Sequence, residues 1–196
     1  DMLVESLWRN GRSDRETRDL AARALSDRIA LEGEAGDEVS VALANVGNAW
    51  LIAGEYSLAI SAFERSLAIR ERVTGRQPVR LGDSLDDLAR ALLVAGRYEA
   101  ARRTIDRLLQ LRESDGPPDS RLASAMELSA WWFQRRGEYA RARPQIERAL
   151  TIRSRSSPDH PDRAFTMGLL GDQLWFGGAI LESERAYREA LALAER

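Results

Sequence analysis

Apolar residues recur at helical spacing in paired runs, and a glycine separates the members of each pair. Leu43, Val46, Gly47 and Trp50 share one face of a helix. After Gly54-Glu55, a second run brings Leu58, Ala59, Ala62, Phe63, Ser66, Leu67 and Ile69 to one side of another helix. The pattern predicts an antiparallel helix pair joined by a tight turn. It returns along the chain, with Gly54, Gly96, Gly137 and Gly178 at steps of 42, 41 and 41 residues. Three copies share a phrase, Gly54-Glu55-Tyr56, Gly96-Arg97-Tyr98 and Gly137-Glu138-Tyr139, while Gly178-Ala179-Ile180 is degraded. A fixed period of this size marks a stack of small units that bury a core only together.

The copies keep their columns. Small residues fall midway along each first helix (Gly47, Ala89, Ala130, Gly171) and early in each second helix (Ala59, Ala101, Ala142, Ser183). Four positions after the latter comes a bulky apolar residue: Phe63, Ile105, Ile146 or Tyr187. Helices packed closely need small side chains where their axes approach and large ones where they diverge. A further column, Ser66, Leu108, Ala149 and Ala190, precedes the leucines Leu67, Leu109, Leu150 and Leu191.

These columns resemble the tetratricopeptide repeat, whose phrase is W-x2-L-G-x2-Y followed by A-x3-F. The copies read Leu43-x2-Val46-Gly47-x2-Trp50 with Ala59-x3-Phe63, and Leu85-x2-Leu88-Ala89-x2-Leu92 with Ala101-x3-Ile105. The third and fourth read Met126-x2-Ser129-Ala130-x2-Phe133 with Ala142-x3-Ile146, and Met167-x2-Leu170-Gly171-x2-Leu174 with Ser183-x3-Tyr187. The resemblance implies an all-α, right-handed α-solenoid of antiparallel helix pairs. It divides the chain into a partial N-terminal repeat at 1–37 and four repeats at 38–78, 79–118, 119–160 and 161–196. The period exceeds the family's usual length of roughly 34. The extra residues fall between pairs, as in the kinesin-light-chain variant found in many bacterial multidomain proteins. The Pro158-Asp159-His160-Pro161 turn carries that variant's His-Pro; the linkers near Pro78 and Pro117-Pro118 keep only proline.

Residues 14–32 read as half a repeat, with residues 3–9 as the tail of an earlier helix and Gly11 near its turn. Solenoid ends need a polar outer face, and no capping helix follows the fourth pair. The expectation is a piece of a larger protein or end-to-end self-association.

Composition narrows the chemistry. Net charge is −2, with 31% charged and 44% hydrophobic residues, so no whole-chain field draws nucleic acid or an anionic membrane. Arg102-Arg103 and Arg135-Arg136 are too sparse to build a basic face. No run approaches the ~18 apolar residues of a membrane span, and the N-terminus lacks the build of a signal peptide; the expected location is the cytoplasm. There is no cysteine, and all 29 basic residues are arginine. That excludes disulfides, thiolate chemistry and lysine catalysis within these residues. With no phosphate-binding glycine loop and one histidine, an enzyme is not expected, nor is a cofactor or metal. His160 between Asp159 and Asp162 reads as linker, since stable zinc sites want more good ligands. Pro144 falls early in a second helix, where it costs least or kinks.

In the family, first helices line the concave face. Carried over, the outward candidates are Asn45, Asn48 and Ile52; Asp83, Asp87 and Arg90; Glu127, Trp131 and Arg135; and Asp172 and Trp175, with Phe176 beside it. Asparagine is a poor helix-interior residue, yet on a groove it grips a peptide backbone as donor and acceptor. Trp and Arg concentrate binding energy, although Trp131, Trp175 and Phe176 equally fit packing between repeats. Asp83, Asp86 and Asp87 fit either an acidic contact patch or a helix N-terminus with its preferred charge. The clamp by which family adaptors hold a C-terminal carboxylate is missing its basic part, with Ala44 and Asp87 in its place. Two functions follow. One is a non-catalytic scaffold binding a peptide or protein segment, including another domain of its own parent chain, in the concave groove. The other is the regulatory arm of a bacterial multidomain enzyme such as a CHAT-type protease, kinase or NTPase switch.

Overall fold

A computed structural model describes residues 15–34, 36–73, 78–156 and 161–195. The expected helix tail at 3–9, Gly11 and the His160 turn lie outside them. Every regular element among the described residues is an α-helix: α1 Arg15–Glu32, α2 Asp37–Ile52, α3 Tyr56–Val73, α4 Pro78–Val94, α5 Tyr98–Ser114, α6 Ser120–Arg135, α7 Tyr139–Ser156, α8 Pro161–Phe176 and α9 Ile180–Ala194. None is long and apolar enough to cross a membrane. The helices form two compact units, Asp1–Thr104 and Ile105–Arg196, with the boundary inside α5.

Each turn glycine ends a helix in the same way. Gly54 has φ of 80°, a region open to glycine and strained for side chains. Its amide donates to the Leu51 carbonyl (3.1 Å) while the Glu55 amide reaches back to Trp50 (2.9 Å). This pair of bonds satisfies carbonyls that the helix end leaves open. Gly96, Gly137 and Gly178 repeat the positive φ and the long back-bond.

Within the first unit, α2 packs on α1 and α3, and α3 on α4. Val39, Leu43 and Ile69 form one cluster with Leu25 and Ile29; Ala21, Val46, Ala49 and Ala62 form another with Trp50. Within the second unit, α6 packs on α7, α7 on α8 and α8 on α9. Leu122, Ala123, Met126, Ala149 and Ile152 bury one core, and Met167, Ala186 and Leu193 another. Exposed Pro144 lies inside α7.

The small-residue column explains how closely the paired helices approach. A Cβ on Gly47 would stand 2.6 Å from the Phe63 ring, and one on Gly171 would stand 2.6 Å from the Tyr187 ring. Real carbon contacts do not come so close, so the bare backbone is what admits each ring. Ala59, Ala130 and Ala142 are fully buried in the matching columns. Serine hydroxyls add cross-links where the backbones meet: Ser66 Oγ donates to the Ser40 carbonyl (2.7 Å), and Ser183 Oγ to that of Gly171 (2.9 Å).

A column of arginines is the other recurrent device. Arg70, Arg112 and Arg153 each stand sixteen residues after a turn glycine, and each is buried. Arg70 Nε donates to Ser40 Oγ (2.9 Å) on α2, and Nη1 to the Arg80 carbonyl (2.8 Å) on α4. Arg153 grips Glu127 on α6 through Nε (2.7 Å) and Nη2 (3.0 Å), and Asp162 on α8 through Nη1 (2.8 Å). Thr166 of α8 donates to the same Glu127 carboxylate. Both arginines therefore pin the first helix of their own pair to the first helix of the next.

The two solve the burial problem differently. Desolvation pulls the Arg70 guanidinium below its ordinary value, and the charges of Asp83, Asp87 and Glu38 offset only part of the loss. Desolvation acts on Arg153 too, but the Glu127 bond and charge outweigh it and raise the value.

Two outcomes test this packing. Gly47→Leu is expected to destabilise the chain by about 1–3 kcal/mol or more through overpacking against Phe63; an unchanged midpoint in chemical denaturation would refute the contact. Arg153→Met strands a buried carboxylate and should cost about 3–5 kcal/mol, and adding Glu127→Leu should recover most of that. Denaturation of the three variants reads the coupling, and additive losses would refute it.

Candidate functional site

The sequence candidates separate into those that reach a surface and those that do not. Asn45 and Glu127, expected to face outward, are only 7% and 5% exposed. For Glu127 the cause is Arg153, which draws the carboxylate inward and occupies both its oxygens. Asn48 is half-buried, and its side-chain amide donates to the Ala44 carbonyl of its own helix (3.0 Å), which answers its helix-interior position without a ligand. Ile52 is exposed at the end of α2.

The α4 acids do not sit at a helix N-terminus. Pro78 takes the first helical position, where a missing N–H is harmless, so the helix begins before them. Asp83, Asp86 and Asp87 fall in its second and third turns, beyond the strongest field of the helix end. Asp86 pairs with Arg90 (2.8 Å). Burial first, then the neighbouring Asp86 charge, pushes the Asp87 carboxyl up to about 7, while Arg90 and Arg70 oppose the rise.

In the second unit, Trp131, Arg135 and Asp172 come together. They line one cavity of about 380 Å³ with Gln134, Tyr139 and Phe176. Its floor is built from α6 and α8, and each is positioned by local chemistry. Asp119 caps α6, accepting from the amides of Arg121 (3.0 Å) and Leu122 (3.1 Å). Partial burial would raise its carboxyl, but the Leu122 amide and the Arg121 guanidinium win and hold it below the usual range. Gln134 ties α6 to α8 by donating to the Leu169 carbonyl (3.0 Å). Tyr139, just past the turn, stacks on Phe176 with ring centroids 5.4 Å apart and planes 10° from parallel.

Charge in the cavity is oriented. The exposed Arg135 guanidinium stands 5.8 Å from the Trp131 ring centroid. Asp172 accepts from the Tyr187 hydroxyl (2.6 Å). Burial, then this bond, raises the Tyr187 phenol to about 12, so it stays a donor. The ring that Gly171 admits is thus the one that holds Asp172. One wall offers a cation and another an anion, with aromatic faces between them. Such a pocket can take a planar or apolar side chain together with a backbone or side-chain dipole.

Trp175 and Phe176 are 53% and 61% exposed, and Phe176 also packs between repeats through its stack on Tyr139. Trp175 faces a separate cavity of about 360 Å³ with Ile180, Tyr187 and Leu191. Tyr139 was absent from the sequence candidates because it read as part of the turn phrase. Among the described residues, no three His, Asp or Glu side chains converge as a metal site requires.

The Asp87 environment makes one prediction. The folded state holds that proton to near pH 7 whereas the unfolded chain releases it near 4, so stability falls as pH rises between those values and the loss persists above them. Asp87→Asn is expected to raise the melting temperature at pH 8 and to leave it unchanged at pH 4. Thermal melts across that range check it, and an equal shift at both ends would refute the buried-acid assignment.

Family models described as tetratricopeptide repeat match residues 39–78, 81–155 and 134–196. A comparison with curated proteins finds no match. Among solved structures, the chain is similar to BtubC (BKLC) from P. vanneervenii, with 20% identity over 97% of this chain and 76% of that one and a TM-score of 0.77. A Podosopora anserina protein, described as a kinesin light chain with nearly identical TPR-like repeats, shares 20% identity over 98% and 91%, with a TM-score of 0.75. MamA shares 16% identity over 92% and 91%, with a TM-score of 0.61. At these identities the likeness establishes the fold, an α-solenoid of paired helices.

Proposed function

The chain belongs to the tetratricopeptide repeat family, and we propose that it is a non-catalytic scaffold that holds a segment of a protein partner against its first helices, with the Trp131–Phe176 cavity as the anchoring pocket. The repeat fold is a general platform for protein interaction. The observation that carries the finer reading is the convergence of Trp131, Arg135 and Asp172 with Tyr139 and Phe176 around about 380 Å³. Aromatic side chains beside an arginine are where interface energy concentrates. Arg135, beside the Trp131 ring, suits a carboxylate, and Asp172, fixed by Tyr187, suits an N–H donor. An extended peptide presents both, alternating with side chains that need apolar walls.

The test is selection of a displayed random-peptide library on the wild-type chain, followed by calorimetry of the enriched peptides. Trp131→Ala should weaken binding by about 30-fold, the size of a hot-spot loss of roughly 2 kcal/mol. Arg135→Glu should weaken it too and shift selection away from acidic peptides. Trp175→Ala, in the other cavity, should leave affinity unchanged. Enrichment lost with Trp175→Ala but kept with Trp131→Ala would move the site, and no enrichment at all would count against peptide recognition.

A further inference from the structure

Two polar side chains of the Trp131 cavity are fixed by a bond to a neighbouring helix, and both are left with an acceptor. Gln134 of α6 commits its amide donor to the Leu169 carbonyl of α8 (3.0 Å), which leaves its oxygen for a ligand. Asp172 of α8 receives the Tyr187 hydroxyl of α9 on Oδ1 (2.6 Å), and a carboxylate accepts through both oxygens. Both side chains are half-buried. The cation of the cavity, Arg135, is by contrast exposed at the last position of α6. Trp131, Tyr139 and Phe176 supply aromatic walls. On the reading that this cavity anchors a peptide segment, we propose that the anchor is an arginine of the partner, its guanidinium laid on the rings and donating to Asp172 and Gln134.

The choice of side chain follows from what each would do to Asp172. An apolar anchor strips water from the carboxylate and leaves it the Tyr187 hydroxyl alone. An acidic anchor sets like charges together. A cation does the reverse, because its charge compensates the carboxylate as water leaves. Lysine brings a compact, strongly hydrated ammonium, whereas arginine brings a flat group that stacks on rings and carries donors in several directions. A flat group suits aromatic walls, and several donors suit two acceptors on different helices.

The chain's own packing shows the same pairing. Arg18 stands over Trp50, Arg136 over Trp132 and Arg141 over Phe133, at 5.6, 5.5 and 4.5 Å from the ring centroids. Arg135 over Trp131 repeats it inside the cavity. An incoming guanidinium thus meets a ring that already accepts one, and Arg135 turns to the rim, where an acidic neighbour of the anchor would pair with it. Tyr187 sharpens the selection. Phe63, Ile105 and Ile146 stand in its column, and none of them can hold an acid. With the hydroxyl present, Asp172 is oriented before the ligand arrives, which reduces what binding must order.

The experiment uses peptides selected on the wild-type chain, tested by calorimetry against wild type and variants. Those that lose affinity with Trp131→Ala should share an arginine. Replacing that arginine by citrulline, which keeps the shape and removes the charge, should weaken binding to wild type about 10-fold, the size of a lost hydrogen bond between charged groups. Against Asp172→Asn, the arginine and citrulline peptides should bind alike. Tyr187→Phe keeps the ring that sits on Gly171, so it should fold and retain the dependence on Trp131 while narrowing the gap between arginine and citrulline. Circular dichroism verifies that each variant folds. Trp131-dependent peptides without an arginine, or a citrulline loss equal in wild type and Asp172→Asn, would overturn the arginine anchor and leave the pocket standing. Peptides indifferent to Trp131→Ala, or none selected, would overturn the pocket reading and the anchor with it.

Discussion

Everything in this chain depends on how near two helices can come. Where Gly47 meets Phe63 and Gly171 meets Tyr187, one helix gives up its side chain so that the other can lay a ring across its backbone. A methyl group at either glycine would already overlap the ring, so the approach is set by the absence of a single carbon. Close approach lets serine hydroxyls bridge the two backbones at Ser66 and Ser183. It also fixes where the ring ends. At Gly171 that endpoint is a phenol beside Asp172, so a packing rule becomes a way to aim a carboxylate into a cavity.

Packing within a pair does not join it to the next pair, and here the chain uses buried arginine. A guanidinium has donors pointing in several directions from one plane, so a single side chain can hold two helices at once. The requirement is a compensated charge. Arg153 meets it with Glu127 and Asp162; Arg70 binds a hydroxyl and a carbonyl, and the charges of Asp83, Asp87 and Glu38 offset part of its desolvation. The raised Asp87 carboxyl belongs to this second setting, where Asp83, Asp86 and Asp87 crowd together near the cation.

The repeat was legible because its signals are steric and local. A glycine at positive φ, a small residue opposite a ring and a leucine seam leave fixed spacings in one strand of letters. The site was legible only in part, for a physical reason. A helical wheel orients a side chain about its own axis and does not report which neighbouring helix arrives on that side. Trp131, Arg135 and Asp172 line one cavity, but Glu127, on the same helix as Trp131, is claimed by Arg153 from α7. The arginine column stands at a constant sixteen residues after each of three turn glycines, so the information was present. Charge suggested surface, and buried charge is visible only when its partner is known. Tyr139 was masked in the opposite way, since its place in a turn phrase hid the stack it makes on Phe176.

In a repeat, then, what is shared builds the scaffold and what departs from the column marks a local task. Tyr187 stands where Phe63, Ile105 and Ile146 stand, and it alone carries a hydroxyl, which is the group that orients Asp172. Ala194 replaces the arginine that elsewhere binds one pair to the next, and Leu181 replaces small or polar residues at an outward position. All three departures cluster on α9. A substitution that only relaxed an unused surface would drift toward polar residues, since exposed leucine gains nothing from water. Leu181 runs against that drift, and the removal of a charge at Ala194 runs with it toward an apolar face. The copy at α9 is therefore the least typical of its column, with a hydroxyl that aims Asp172 and an exposed leucine where the other copies carry small or polar residues.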